Sequence, residues 1–340
     1  MELLVAIKPV PSDTLKVNVT DEIWRLRAPF RIARGVRSEA RIVMVTVTDG
    51  IYVGRGEAVP SRRYNESVSS AREAIDRFLH HQNASFDRAA VQAQMPPGAA
   101  RNAVDCALWD LSCKQAGRRA WDLVGLPAVD EITTAFTISL DSPEVMATAA
   151  KAASHVSLLK LKLGGDASDL DRVQAVHEAV PSARLVVDAN ESWSPDHFAE
   201  VAQKLPALRV ELIEQPFPAS QDEVLRSLPH PVPVCADESC HTTADLPRLT
   251  GRYEAVNIKL DKTGGLTEAL HLLSSAREKG FRIFAGCMVC TSLGIAPARL
   301  LASVADYVDL DGPLLLANDR PGGIKYVQGR MSLPAPELWG

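Results

Sequence analysis

Six charged residues, Lys162, Asp188, Glu214, Asp237, Lys262 and Asp309, stand near the ends of successive apolar segments, the first five of them about 23–27 positions apart. A repeat of that length holds one short strand and one helix, the unit from which a (β/α) barrel is built. Strand side chains alternate in direction, and barrel chemistry gathers at the C-terminal strand ends. A charge that closes an apolar run therefore faces the barrel mouth. The expected strands are 133–140, 157–163, 184–188, 211–214, 232–237, 255–259, 282–287 and 307–311. Ser142-Pro143-Glu144 and Ser194-Pro195-Asp196 each combine an N-cap, a first-turn proline and an early acid, as helix starts between strands require.

One barrel needs about 250 residues, so a chain of 340 residues carries a second, smaller domain. Two strands, 42–47 and 51–57, flank Thr48-Asp49-Gly50 as a hairpin. Apolar residues recur at helical spacing over 65–79 and 98–116. An α+β domain over 1–125, a barrel over 126–316 and a tail over 317–340 that packs back on the first domain follow.

With 37 basic and 42 acidic residues and no basic stripe, the chain is no candidate for nucleic acid. No apolar run reaches the ~20 residues of a membrane span. The start, Met1-Glu2-Leu3-Leu4-Val5-Ala6-Ile7-Lys8, has no basic n-region and reads as no signal peptide. Six cysteines, including a single Cys287-Met288-Val289-Cys290, read as reduced thiols of a cytoplasmic protein. Gly164-Gly165 and Gly264-Gly265 match no phosphate loop and read as tight turns.

Asp188, Glu214 and Asp237 end three successive strands, where unpaired carboxylates would be costly to desolvate. Three hard oxygen ligands without a neighbouring His or Cys suit Mg²⁺, with Mn²⁺ as a substitute. Lys160 and Lys162 share one face of the second strand, where mutual repulsion and a cation lower the pKa of at least one toward neutrality. Lys259 and Lys262 close the sixth strand, across the barrel. Such lysines suit proton transfer beside a metal-held anion.

These residues stand in motifs that resemble the enolase superfamily, in its muconate-lactonizing subgroup. They are Lys160-Leu161-Lys162, Asp188-Ala189-Asn190 with Trp193, Glu214-Gln215-Pro216, Ala236-Asp237-Glu238-Ser239 and Asn257-Ile258-Lys259-Leu260-Asp261-Lys262. Gly56-Glu57-Ala58 and Ala107-Leu108-Trp109-Asp110 are similar to its capping domain. The resemblance implies a modified (β/α)₇β barrel under an N-terminal α+β capping domain. It also implies one Mg²⁺ per subunit and removal of a proton α to a carboxylate, chemistry already known of that superfamily.

Asp309-Leu310-Asp311 looks like the Asp-x-Asp motif of dipeptide epimerases, and two acids on one strand face would receive a substrate ammonium. The segments 30–40 and 286–292 resemble L-Ala-D/L-Glu epimerases, the first as a flexible specificity loop. The resemblance then implies Lys162 and Lys262 as the two acid–base groups, and Lys160 as a stabiliser of the enediolate. It makes Thr137 a substrate contact and Met288 and Cys290 pocket lining, although many members carry Glu where Cys290 stands. A γ-carboxylate needs a loop cation; if the segment is extended, Arg31 and Arg37 share one face and Arg34 the other. Arg34 is the first choice and Arg37 the second. The implied function is epimerisation of L-Ala-D/L-Glu-type dipeptides from cell-wall turnover. The partner is a small dipeptide, and a homo-oligomer is compatible with it. o-Succinylbenzoate synthase, muconate cycloisomerase and N-acylamino acid racemase share the triad and lysines, and a non-catalytic binder of an acidic metabolite is the remote alternative.

Overall fold

A computed structural model describes residues 15–80 and 86–340; the segment Met1–Lys8 lies outside the described residues. Three antiparallel strands, Lys16–Ile32, Gly35–Thr48 and Val53–Ala58, form the first sheet in chain order. The turn between the last two is fixed by Asp49, whose Oδ1 accepts the amides of Ile51 (2.9 Å) and Tyr52 (2.7 Å). The helix Ala99–Ala116 lies on this sheet. Its approach is so close that a Cβ at Gly54 would stand 2.1 Å from the Ala107 carbonyl oxygen, and one at Gly56 2.1 Å from that of Ala103. The helix is buried almost all round because its other side meets the barrel: Trp109 Nε1 donates to Thr267 Oγ1 (2.9 Å) and Asp105 accepts from Thr267.

Eight parallel strands make the barrel: Phe136–Ile138, Leu158–Lys162, Arg184–Asp188, Val210–Glu214, Val234–Ala236, Ala255–Ile258, Arg282–Gly286 and Tyr307–Asp309. The first strand is shorter than expected. Glu131–Thr133 pairs instead with Arg330–Ser332 in a separate antiparallel sheet. The sixth strand stops at Ile258, and Lys262 belongs to a short helix, Leu260–Thr263, rather than to the strand. Asp311 likewise lies past the eighth strand, just before the turn of helix Gly312–Leu315.

Ala135, Leu158, Val186, Leu212, Cys235, Ala255, Phe284 and Tyr307 form one buried ring, a residue from each strand or its entry. Alternation then stacks Thr137, Lys160, Asp188, Glu214, Asp237, Asn257, Gly286 and Asp309 directly above that apolar floor. Strands one and eight share no ladder among the described pairings. They are joined by Ala135 N to Val308 O (2.8 Å), Leu310 N to Thr134 Oγ1 (2.8 Å) and Thr137 N to Asp311 Oδ2 (2.7 Å). The end of the chain lies against the first domain. Trp339 Nε1 donates to Cys106 O (3.0 Å), and Gly340 N to Asp110 Oδ1 (2.8 Å). No helix among the described residues is long and apolar enough to cross a membrane.

Candidate active site

The layer above the apolar floor is charged and almost fully buried. Lys160 stands at its centre: its Nζ is 2.6 Å from Glu214 Oε2, 2.8 Å from Asp309 Oδ2 and 3.4 Å from Asp188 Oδ2, and 5.2 Å above the Phe284 ring. Burial opposes its charge, yet Asp309, Glu214 and Asp188 outweigh burial and hold its pKa well above the lysine range. Carboxylates surround Lys160 on several sides, and it shares the Asp188 Oδ2 oxygen with Lys162.

Lys162 Nζ lies 2.5 Å from Asp188 Oδ2, with the Phe30 ring centroid at 6.0 Å. Burial raises the Asp188 pKa, but Lys162, Lys160 and Lys259 overcome it and leave the group at about 2. Lys262 Nζ contacts Asp237 Oδ1 (2.6 Å) and donates to the carbonyls of Asp237 (2.5 Å) and Asn257 (2.8 Å). Lys259 reaches Asp237 Oδ2 at 2.6 Å. Against the burial penalty, Lys259 and Lys262 hold Asp237 well below the carboxylate range. Glu214 moves the other way: burial, then Asp188, raise it.

The loops after these strands are rigidly built. Gln215 Oε1 accepts the amides of Asp237 (2.8 Å) and Ser239 (3.0 Å), and Asn257 Nδ2 donates to Glu214 Oε1 (2.8 Å). Asn190 and Glu191 both adopt left-handed backbone, φ 46° and 68°, immediately after the Asp188 strand. Two adjacent non-glycine residues there store roughly 1–3 kcal/mol each. A strained, buried loop of this kind marks a site whose geometry is held by its surroundings.

Among the described residues no set of three or more His, Cys, Asp or Glu side chains is arranged to hold a metal ion as it stands. The reason is the lysines, toward which each acid turns. The donors nonetheless fit a hard divalent cation. Glu214 Oε2 and Asp237 Oδ1 are buried without a hydrogen-bond partner, each facing an ammonium at 2.6 Å, so both keep lone pairs directed into the centre.

Asp309 and Asp311 do come together, around Thr137. Thr137 Oγ1 is 3.4 Å from Asp309 Oδ1, and its amide donates to Asp311. Burial and the Asp309 charge raise Asp311 to about 7. Cys290 is expected, by resemblance, to line the pocket. It sits in the apolar core beside Cys287, whose thiol, with burial, holds it protonated, and Met288 packs half-buried against the same cluster. The backbone of both lies against Gly312, next to Asp311: a Cβ there would stand 2.9 Å from Cys290 N and 3.0 Å from Met288 O.

Arg34 departs from expectation. The 30–40 segment is the end of a hairpin, with Phe30 opposite Arg37 and Arg34 in the turn. Its guanidinium donates to Glu238 Oε1 (2.6 Å), Asn190 O (2.6 Å) and Glu191 Oε2 (2.9 Å). Arg37 has no carboxylate partner among the described residues. Partial burial and the nearby Arg34 and Arg62 lower its pKa from the guanidinium range. Reading the sequence missed Glu238, Glu191, Arg63 and Phe30. A cleft of about 370 Å³ opens beside Glu238 between the two domains, lined by Arg63, Tyr64, Glu66, His241 and Asp261 among others.

Comparison with known proteins agrees with this architecture. Residues 14–125 match the mandelate racemase / muconate lactonizing enzyme N-terminal domain, and residues 144–336 match the enolase C-terminal domain-like family. An L-Ala-D/L-Glu epimerase of Escherichia coli is 44% identical over 93% of this chain and 99% of its own length. An N-acetyl-D-glutamate racemase of a Pseudoalteromonas species is 46% identical over 88% of this chain and 95% of its own. A crystal structure of an enolase family member from Agrobacterium tumefaciens, with homology to dipeptide epimerases and holding sodium and L-Ala-L-Glu, superposes with a TM-score of 0.91 at 46% identity, covering 96% of this chain and 100% of that one. A dipeptide epimerase of Enterococcus faecalis, complexed with Mg and L-Leu-L-Tyr, gives 0.87 at 28% identity over 95% and 97%. With both domains matched and lysines set at opposite sides of a carboxylate-lined barrel mouth, the chain belongs to the mandelate racemase/muconate-lactonizing branch of the enolase superfamily and is an isomerase of the racemase/epimerase type.

Proposed function

We propose that the protein epimerises L-Ala-D/L-Glu-type dipeptides at the carbon α to the terminal carboxylate, within the cytoplasm, on peptides from cell-wall turnover. One observation carries this reading. Lys162 stands on the second strand and Lys262 just after the sixth, four steps apart in either direction around an eight-stranded barrel. Two amines facing each other across the mouth are what inversion requires, since one face of the carbon must lose a proton and the other gain one. Asp188, Glu214 and Asp237 would hold Mg²⁺, which supplies Lewis-acid polarisation of the substrate carboxylate. Lys160, kept charged by the acids around it, stabilises the negative charge that develops when the α-proton leaves. Asp309 and Asp311 receive the dipeptide ammonium, and Thr137 orients it.

Arg37 takes the γ-carboxylate. Arg34, the first choice from sequence, already spends its donors on Glu238, Glu191 and Asn190. Among the described residues the charged neighbours of Arg37 are Arg34 and Arg62, so an incoming carboxylate relieves repulsion as well as forming an ion pair.

A second reading, racemisation of N-acylated glutamate, is favoured by the 46% identical racemase. Such a substrate shares both carboxylates but has no ammonium for Asp309 and Asp311. Incubating L-Ala-L-Glu and N-acetyl-L-glutamate separately in D₂O with Mg²⁺ tests both: deuterium at the α-carbon with inversion of the dipeptide supports epimerisation. Exchange of the N-acyl compound alone would replace it by the racemase reading.

A further inference from the structure

Glu191 is absent from the chemistry described so far, yet its side chain is only 5% exposed and joins three parts of the chain. Its Oε2 accepts Arg34 Nη1 from the hairpin turn at 2.9 Å. Both its oxygens accept the Arg63 fork, Nε and Nη2 each at 2.6 Å, from the capping-domain loop that holds the short helical turn Arg62–Tyr64. Its Oε1 also accepts the Ala219 amide, at 3.4 Å, from the loop after the fourth barrel strand. The carboxylate can reach all of these because Asn190 and Glu191 are held in left-handed backbone, with the Glu191 amide donating to Gln215 O (2.8 Å). The same turn offers Asn190 O to Arg34. Arg34 then spans from this turn to Glu238, beside Asp237.

On its other edge the hairpin is fastened by backbone. Leu140 N donates to Arg31 O (3.0 Å), Arg31 N to Ser139 Oγ (2.7 Å), and Arg31 pairs with Asp141 (2.5 Å). Phe30 and Arg37, opposite each other in the hairpin register, stand one pair farther from the turn than Arg31. Phe30 is the residue over Lys162.

We propose that Glu191 is a positioning residue. It clasps both capping-domain loops to the barrel through Arg34 and Arg63, and thereby sets where Phe30 and Arg37 stand over the reacting carbon. It rests on the dipeptide-epimerase reading for its substrates, but not for its mechanics. The clasp holds Phe30 as well as Arg37, so its loss falls on apolar as well as acidic dipeptides, and more heavily on the acidic ones that Arg37 reads. A residue that only reads the acidic side chain spares the apolar ones.

The experiment compares Glu191→Gln, Arg34→Met, Arg34→Lys, Arg63→Met and the Glu191→Gln/Arg34→Met double variant. It measures kcat and KM on L-Ala-L-Glu and L-Ala-L-Leu, amide hydrogen exchange over residues 30–37, and tryptic cleavage at Arg31 and Arg37. The expected result for Glu191→Gln is a fall in kcat/KM of roughly 10- to 100-fold on both dipeptides, the factor for losing a charge-assisted hydrogen bond. Faster hairpin exchange and cleavage accompany it. The double variant loses less than the product of the two single losses, because the two residues share one interaction while Arg34 keeps Glu238 and Asn190 O as further partners, and Arg34→Lys recovers part of what Arg34→Met loses. A loss confined to L-Ala-L-Glu, or losses that multiply in the double variant, would overturn the proposal. So would lost activity with unchanged hairpin exchange. If Glu191→Gln fails to fold, the Arg34 and Arg63 variants carry the same test from the other side. If the wild type turns over neither dipeptide, the functional reading fails, while hairpin exchange in the same variants still decides whether the clasp exists.

Discussion

Replacing Arg37 by Met separates substrate reading from loop support. Arg37 has Arg34 and Arg62 as charged neighbours and no carboxylate among the described residues, and partial burial with those cations lowers its pKa. Arg37 remains exposed to solvent, so a carboxylate arriving there gains a screened ion pair worth up to about 1 kcal/mol. The corresponding fall in kcat/KM on L-Ala-L-Glu for Arg37→Met is up to about 5-fold. On L-Ala-L-Leu no pair is lost and some repulsion is relieved, so turnover holds or rises. Arg37→Lys falls between, because an ammonium replaces the planar fork with a point charge. A coupled assay for epimer formation on both dipeptides, at fixed Mg²⁺, reads the ratio. Equal losses on both would refute the reasoning and make Arg37 part of the hairpin's structure. Unchanged turnover of L-Ala-L-Glu would place the cation elsewhere.

Chelation by EDTA should abolish epimerisation and Mg²⁺ restore it, with the melting temperature rising as Mg²⁺ binds the folded state; full activity after exhaustive chelation would exclude a metal-dependent reaction. Lys162→Ala and Lys262→Ala should each stop inversion but leave α-proton exchange of one epimer, the D-configured residue served by Lys162 and the L-configured one by Lys262; interconversion near the wild-type rate in either variant would contradict a two-base scheme. Asp309→Asn and Asp311→Asn should each lower kcat/KM on dipeptides by one to two orders of magnitude, about 1.4–3 kcal/mol, and wild-type values in both would move the ammonium pocket away from the eighth strand. Asp261 accepts the amide of Val59 and the side chain of Asn102 (2.9 Å each), and burial raises it to about 7. A carboxyl whose folded pKa is raised binds more protons folded than unfolded, so its stability contribution declines as pH rises from about 4 to about 7. Asp261→Asn should remove that part of the decline, and parallel wild-type and variant melting profiles from pH 4 to 8 would show that Asp261 does not titrate this way.

Much of the barrel centre was legible because its rule is local. Inward residues recur every second position, so Val186, Leu212 and Cys235 on the floor place Asp188, Glu214 and Asp237 in the layer above. The strand ends were harder. Thr133 and Thr134 are as β-prone as Phe136–Ile138, and only the distant pairing with Arg330–Ser332 assigns Glu131–Thr133 to another sheet. Ile258-Lys259-Leu260 alternates like a strand, but the chain turns into a short helix there and carries Lys262 with it. Least legible were charges whose meaning depends on partners far along the chain. Arg34 finds Glu191 and Glu238 across 157 and 204 residues. The charge state of Lys160 depends on acids from several other strands, so neither its own segment nor the neighbouring Lys162 could reveal it.

The missing ladder between the first and eighth strands gives the barrel a seam, and the seam runs through the pocket assigned to the ammonium. Asp311 is stitched across it to the Thr137 amide, while Asp309 leans from the eighth strand to Lys160. On the proposed function, barrel closure and substrate choice draw on the same two carboxylates. Substitutions here remove no strand-to-strand ladder bonds, so selectivity for the amino end of a substrate can drift without dismantling the sheet. Each such change also loosens a stitch. Variants that accept new amino-terminal groups should accordingly melt earlier than their parent, and the lost stability should be regained by new hydrogen bonds across the seam rather than by packing in the apolar floor beneath it.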